Sequence, residues 1–237
     1  MTTPNTMNRR TLLGALGSLS LPFGLALLGG CDSGAKTAAA ADTAVSKGAG
    51  IPIPRREFPN HEILDHNGRK VRFHDDLIEG KVFAATFFYV KCKGICGDMS
   101  GNMKKAHEIL GDFMGDKVQF YSFSLNEDTP EELRGYMARQ GIVDKKGWTF
   151  FTGAKEVIKD IRWGFGFSNP SSEEDDDLSA HTGMVRFGHH PMDKWSSCPA
   201  LGSPKGIARN VIWLFPPNER PRIPLLDFDG ASGARPS

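Results

Sequence analysis

The feature that most constrains the fold is an apolar run, residues 82–90, that ends just before two close cysteines. The run reads VFAATFFYV and contains no charged residue. Such a run is typical of a central strand that is buried on both faces of a sheet. Cys92 and Cys96 follow it. Both sulfurs are therefore expected at the edge of the sheet, where soft-metal binding or thiol redox chemistry would take place.

The two cysteines are separated by Lys93, Gly94 and Ile95. A two-residue spacing is typical of dithiol oxidoreductases, whereas a third residue widens the ring that a disulfide closes and lets two thiolates converge on one ion. A disulfide in so short a ring constrains little of the unfolded chain, which disfavours a purely structural crosslink. The spacing leaves metal binding and electron transfer open.

Residues 1–30 are expected to be an export signal and not part of the fold. Arg9 and Arg10 precede an uncharged stretch, rich in Leu and Gly, that ends at Cys31. Small residues before a cysteine are similar to the lipobox of bacterial lipoproteins, which predicts lipidation of Cys31 and tethering to the membrane without a spanning helix. The expected location is the periplasmic side of the cytoplasmic membrane. The arginine pair also resembles a twin-arginine signal, with Leu12 where Phe is preferred, so the export route stays open.

Composition divides the rest of the chain into three parts. Residues 31–50 are rich in small residues and lack aromatic ones, which is typical of a flexible linker. Residues 51–220 have the size of one domain, and residues 221–237 are expected to be a loose tail.

Without the two signal arginines the net charge changes from +1 to −1, which argues against nucleic-acid binding. Three cysteines besides Cys31 are too few for a disulfide framework.

Periodicity predicts alternating strands and helices within the domain. Residues 58–65 and 70–74 predict an N-terminal β-hairpin, followed by an acidic loop and the central strand. Further strands are predicted over 118–125, 148–151 and 181–187, and helices over 98–113, 130–140, 154–163 and 203–214, with an edge strand over 210–215 as the alternative to the last helix. Thr129, Pro130 and Glu132 predict a capping-box start for one helix. The order indicates an α/β fold with a mixed central sheet flanked by helices.

These motifs together resemble the Sco/SenC family of copper-binding cytochrome oxidase assembly proteins, over roughly residues 54–188. The matching motifs are Gly80-Lys81 before the core strand, Phe87-Phe88-Tyr89 before the cysteines, Asp128-Thr129-Pro130 after the next strand, and an acidic loop before His181-Thr182. The resemblance implies a thioredoxin-like fold and copper ligands at Cys92, Cys96 and His181. Thiolates are soft ligands that favour cuprous ion, and an imidazole completes a three-coordinate site or serves part of a cupric one.

The chain departs from the family pattern close to the cysteines. Lys93 and Gly97 stand where proline usually follows each cysteine, which makes the loop looser and more basic. Lys93 and the start of the following helix are expected to lower the thiol pKa. Asn126-Glu127 replaces the usual Asp-Pro and removes an acidic group proposed for cupric binding or docking. The acidic run 173–177 is expected to be a solvated loop.

Four residues beyond the family motifs have no assigned role. His189, His190 and Met192 could form a second soft-metal patch or simply lie in a turn. Cys198 could be a buried apolar residue, a resolving thiol for the cysteine pair, or an extra ligand.

Two classes of function fit these observations. The first is an exported, membrane-tethered copper chaperone that delivers the ion to a copper-receiving subunit of a respiratory oxidase or to another copper protein. The second is a thiol-disulfide oxidoreductase in which Cys92 and Cys96 reduce a partner's cysteines before metallation. A copper or redox sensor is a third possibility. Loss of His181 should impair copper binding far more than disulfide exchange, which separates the first two. The chaperone, which is not an enzyme, is favoured.

Overall fold

The computed structural model describes residues 57–168, 171–178 and 183–226. The chain divides into two units, Met1–Ile51 and Pro52–Ser237, and all described residues lie in the second. The predicted signal, the lipidation site Cys31, the linker and His181 lie outside the described residues. Each helix within the described ranges is too short or too polar to cross a membrane.

The described domain is built on one seven-stranded mixed sheet. Its strands are β1 (Glu62–Asp65), β2 (Lys70–Arg72), β3 (Val82–Phe88), β4 (Gln119–Ser124), β5 (Trp148–Thr152), β6 (Met184–His189) and β7 (Lys194–Pro199). Their order across the sheet is β2-β1-β5-β4-β3-β6-β7. β4 runs parallel to both β3 and β5, while the other neighbouring pairs are antiparallel. The mixed sheet and the N-terminal hairpin of β1 and β2 confirm the predicted fold class.

Helices cover both faces of the sheet. They are α1 (Cys96–Leu110), α2 (Pro130–Gln140), α3 (Lys155–Gly164), α4 (Ser172–Asp176) and α5 (Pro204–Leu214). α1, α2 and α5 contribute to the core on one face, and α3 contributes to the core on the other. The last helix is confirmed, and its alternative as an edge strand is wrong. α1 begins two residues earlier than predicted, so the second cysteine is its first residue.

β3 is the central strand that its composition predicts. All seven of its residues are buried. Val82, Ala84 and Phe88 pack into the core on one face, and alternate residues such as Phe83 and Phe87 pack into the core on the other. Burial of each large apolar side chain contributes about 1.5–3 kcal/mol. The strand therefore provides a rigid base for the cysteine loop that follows it.

Three elements differ from the prediction. β7 is an additional edge strand, and its half-exposed residues lack a clear apolar alternation. A π-helical turn, Phe73–Ile78, replaces the end of the second hairpin strand and the loop after it. α4 lies in the acidic run predicted to be solvated, and the prediction is wrong at Asp175, which is buried. The packed chain also continues to Leu226, within the segment predicted to be a tail.

Candidate metal centre

The cysteine loop connects the carboxyl end of β3 to the start of α1. Because β4 runs parallel to β3 and β5, the carboxyl ends of all three strands lie at this edge, which is where open α/β sheets bind ligands. Cys92 is half-buried in the loop, and Cys96 is fully buried at the first turn of the helix. Both are reduced thiols and not joined in a disulfide. The structure thus places the two predicted sulfurs together at the edge expected from the sequence.

A buried carboxylate anchors the start of this loop. Oδ2 of Asp128, which follows β4, accepts the backbone N–H of Val90 at 2.7 Å and the hydroxyl of Ser124 at 2.7 Å. Asp128 is 2% exposed. The capping box predicted for the next helix is confirmed, with Thr129 and Glu132 exchanging backbone and side-chain hydrogen bonds. The family motif at Asp128 therefore ties the cysteine loop to the neighbouring strand and helix.

A second anchor holds the start of α1. The hydroxyl of Tyr136, on α2, donates to the carbonyl of Cys96 at 3.0 Å and accepts from Ser100 at 2.8 Å. Tyr136 is buried and its ring packs against Phe88 at the end of β3. These contacts fix the backbone of the second cysteine, leaving the exposed part of the loop around Lys93 and Gly94 as the more accessible side of the site.

The two thiols differ in acidity. Burial acts to raise the pKa of Cys92, but hydrogen bonds from the thiol and backbone of Cys96, from the backbone of Gly94 and from the hydroxyl of Tyr89 hold this pKa below its ordinary value. Burial, together with the neighbouring sulfur of Cys92, raises the pKa of Cys96 to about 12. Cys92 is therefore the sulfur that ionises first.

The cause of this acidity differs in part from the prediction. Lys93 is exposed and is not among the main causes of the lowered pKa of Cys92. The predicted contribution of the helix start is present, because the first backbone N–H of α1 belongs to Cys96. The part played by Tyr89 was missed. Its position three residues before Cys92 carries no recognisable spacing signal, and only the turn of the loop brings its hydroxyl to the sulfur.

The described chain resumes beside this loop after the segment that contains His181. A Cβ added at Gly183 would lie 2.8 Å from Cδ1 of Ile95 and 3.8 Å from Sδ of Met99. Gly183 thus lies against Ile95, which precedes the second cysteine, and against Met99 in the first turn of α1. His181 itself lies outside the described residues, and its role as a ligand stays a prediction.

The four residues left without a role in the sequence occupy separate places. The ring of His189 packs on Phe215 at 5.4 Å, while that of His190 packs on His74 at 5.8 Å. Met192 is exposed. Cys198, on β7, pairs with Val185 of β6. Burial raises the pKa of its thiol to about 11. The rings of the two histidines thus pack on different aromatic partners, and a soft-metal patch of His189, His190 and Met192 stays a prediction.

The arrangement combines a half-buried thiol of lowered pKa with a buried thiol of raised pKa. Cys92 can act as a nucleophile or as a first metal ligand, because both roles require the thiolate form. A soft ion that bound both sulfurs would displace the proton of Cys96, as thiolate coordination generally does. Two sulfur ligands alone do not complete a four-coordinate structural site, so the donor set suits an ion that is held and exchanged.

A family model and a known protein both relate this chain to SCO1/SenC proteins. The SCO1/SenC family model matches residues 54–209. Protein sco1 of Schizosaccharomyces pombe is 30% identical over 129 residues, which cover 51% of this chain and 46% of that protein; the chain thus spans about half the length of this relative.

Solved structures share the fold. A SCO1/SenC family lipoprotein from Bacillus anthracis str. Ames is 21% identical, with a TM-score of 0.55 over 68% of this chain and 96% of that one. Copper-bound ScoI of Bradyrhizobium japonicum is 19% identical, with a TM-score of 0.50 over 65% of this chain and 96% of that one. Since the family model covers well over half of the sequence, the chain belongs to the SCO1/SenC family.

Proposed function

We propose that this chain is an exported copper-binding protein that holds the ion through Cys92, Cys96 and His181 for the assembly of a respiratory oxidase copper centre. The observation that carries the proposal is the pair of reduced thiols, one with a lowered pKa, at the ligand-binding edge of the sheet. SCO1/SenC proteins are copper-binding proteins that assist cytochrome c oxidase assembly, and the Bradyrhizobium relative is solved with copper bound.

The third ligand is supported by chain connectivity. His181 precedes Gly183 by two residues, a span of at most about 7 Å. Gly183 itself contacts Ile95 in the cysteine loop. This connection allows His181 to approach the cysteine loop and supports its choice as the third ligand, and the soft donor set favours cuprous over cupric ion.

The different burial of the two cysteines suggests how the copper ion would pass to a partner. Cys92 is half-buried and Cys96 is fully buried, so an incoming cysteine of the acceptor would replace Cys92 first while Cys96 retains the ion. Lipidation at Cys31 would keep donor and acceptor at the same membrane surface. The Bacillus anthracis relative is a lipoprotein, which supports a lipid-anchored, exported form.

A direct test is a titration of the reduced chain with cuprous ion under a competing chelator. We expect one tight equivalent in the wild type and its loss in Cys92→Ala, Cys96→Ala and His181→Ala. Cys198→Ala is the matched control, since it removes a thiol outside the proposed ligand set and should retain the equivalent. Weak binding that is indifferent to His181 would contradict the proposal.

The same pair favours a second function, reduction of a partner's disulfide. The Cys92 thiolate would attack the disulfide, releasing one partner thiolate and forming a mixed disulfide; Cys96 would then attack Cys92 and release the second partner thiolate. Each step exchanges one sulfur–sulfur bond for another, so the partner is reduced as the Cys92–Cys96 disulfide forms. Exchange that persists in His181→Ala, with no tight copper equivalent in the wild type, would make this the leading function.

A further inference from the structure

The π-helical turn between β2 and β3 carries a second cluster of potential metal ligands, His74, Asp75 and Glu79. It lies just before β3, whereas the cysteines follow the other end of that strand. β3 has seven residues, which corresponds to about 20 Å of extended chain. The cluster is therefore separate from the candidate copper site and does not depend on it.

The fold itself brings these residues together. Phe73, Leu77 and Ile78 are buried and fix the turn to the core. The side chain of Asn60 accepts the backbone N–H of His74 at 3.1 Å. Because the turn is π-helical, the N–H of Glu79 donates to the carbonyl of His74 at 2.9 Å, which places positions 74 and 79 side by side. π-Helical turns occur frequently at functional sites.

The ligand atoms converge to nearly the spacing that an ion requires. One nitrogen of His74 and one carboxylate oxygen each of Asp75 and Glu79 lie within 4.8 Å of one another. Two ligands of one ion, each at about 2.1 Å from it, lie roughly 3 Å apart. Small side-chain rotations would close the difference, because His74 is partly exposed and the two carboxylates are exposed.

The charges around the cluster favour a cation. The cluster brings two carboxylates, those of Asp75 and Glu79, close to one imidazole. Arg72 contacts Oδ2 of Asp75 at 3.1 Å, while Oδ1 lies 3.4 Å from Nδ1 of His74. One oxygen of Asp75 therefore already has a cationic partner, and the other lies beside the imidazole of His74.

We propose that His74, Asp75 and Glu79 bind one divalent transition-metal ion through an imidazole nitrogen and two carboxylate oxygens, with water completing its coordination. One imidazole with two carboxylates suits zinc, manganese or cupric ion, whereas the thiolates of the other site suit cuprous ion. The two sites would thus select different ions.

A second histidine supports the site from outside the ligand set. The ring of His190, which follows β6, lies edge to face against His74 with ring centroids 5.8 Å apart. Nδ1 of His190 accepts the backbone N–H of Gly80 at 3.3 Å. Because this bond occupies Nδ1, His190 is left outside the proposed ligand set and packs against the His74 ring instead.

The first experiment is a titration of the full wild-type chain with Mn²⁺, followed by nuclear magnetic resonance line broadening of the backbone amides. Manganese prefers carboxylate and imidazole ligands to thiolates, so the cysteines do not compete for it. We expect selective broadening of residues 74–80 and of His190. Broadening distributed over all exposed carboxylates, or centred on the acidic run 173–177, would overturn the proposal.

Calorimetric titration with Zn²⁺ tests the ligands in a variant with all four cysteines replaced by serine. We expect one equivalent whose affinity falls at least tenfold in His74→Gln and in Glu79→Gln. Matched controls are His61→Gln and Glu131→Gln, which remove the same side-chain groups outside the proposed ligand set and should leave the affinity unchanged. No binding, or an equal loss in the controls, would contradict the site. If the serine variant does not fold, the manganese experiment on the wild type decides.

Discussion

At the scale of single residues, the structure assigns Tyr89 to the acidity of the cysteine pair. Its hydroxyl hydrogen-bonds to the sulfur of Cys92, and this contact also raises the pKa of Tyr89 itself. A hydrogen bond to the charged form of an acid favours ionisation. Tyr89 is thus a positioning and tuning residue for Cys92, while Asp128 holds the backbone from which both project.

We predict that Tyr89→Phe raises the pKa of Cys92. The thiolate of Cys92 would then form only at higher pH, so its rate of alkylation at neutral pH would fall several-fold. The measurement is the pH dependence of iodoacetamide labelling, read on the Cys92 peptide by mass spectrometry. Cys96, with a pKa of about 12, should stay unlabelled across the neutral range.

Tyr136→Phe is the matched control for this experiment. Its hydroxyl donates to the carbonyl of Cys96 and not to the sulfur of Cys92, so the labelling curve of Cys92 should stay in place. If both variants shifted the curve equally, the effect would belong to general loosening of the loop and the role of Tyr89 would be wrong.

At the scale of elements, the acidic run before His181 acts as a clamp on α3. Asp175, on α4, has a 1% exposed side chain and pairs with Arg162 at 2.7 Å. The indole of Trp163 donates to the same carboxylate at 2.8 Å, and a second guanidinium nitrogen of Arg162 donates to the carbonyl of Phe167 at 2.7 Å. The clamp fixes α4 three residues before the undescribed stretch 179–182, so it sets where the chain toward the proposed ligand begins.

We predict that Asp175→Asn destabilises the protein by about 3–5 kcal/mol, because it leaves the buried guanidinium of Arg162 without its counter-charge. Asp176→Asn is the control on the same helix: its exposed carboxylate pairs with Lys159 at 3.0 Å, and such a surface pair contributes about 0–1 kcal/mol. Urea denaturation measures both. An equal loss of unfolding free energy in the two variants would show that the buried pair stabilises the protein no more than the surface pair does.

A double replacement sharpens this prediction. Arg162→Met combined with Asp175→Leu removes both charges and fills the space with apolar groups, so it should recover much of the stability lost in Asp175→Asn. A double variant less stable than the single one would indicate that the hydrogen bonds to Phe167 and Trp163, and not the charge balance, hold the clamp.

At the scale of the whole molecule, the sequence predicted the architecture where side-chain periodicity reports burial. The apolar run of β3, the capping box of α2 and the helical spacing of α1 each reflect local rules, and each is confirmed. β7 was not predicted because KWSSCP has no apolar alternation, and its strand form comes from pairing with β6. The burial of Asp175 was missed for a related reason: composition marks the run as polar, and its partners Arg162 and Trp163 on the preceding helix make burial favourable.

The residues of the candidate site also divide into those that the sequence predicted and those that only the structure places there. Cys92 and Cys96 were predicted together because their chemistry and spacing are visible in the sequence, and the strand before them locates the loop. Tyr89 and the cluster of His74 with Glu79 depend on turns whose geometry has no sequence signature. His181 stays a prediction, since its assignment came from the family resemblance and it lies outside the described residues.

Copper binding should also be visible in the stability of the whole domain, because a ligand that binds only the folded state stabilises it by mass action. At a free cuprous concentration about 1,000 times the dissociation constant, the gain is about 4 kcal/mol. For a domain of this size, that corresponds to a rise in Tm of roughly 8–16 °C. Scanning calorimetry of the reduced chain, with and without chelator-buffered cuprous ion, measures the shift.

The variants decide whether that stabilisation comes from the proposed site. Cys198→Ala should keep the full rise in Tm, whereas Cys92→Ala, Cys96→Ala and His181→Ala should lose most of it. A rise that survived in the three ligand variants would mean that copper stabilises the fold from elsewhere. A rise lost with the cysteines but kept in His181→Ala would leave a two-sulfur site, which binds the ion without the predicted histidine.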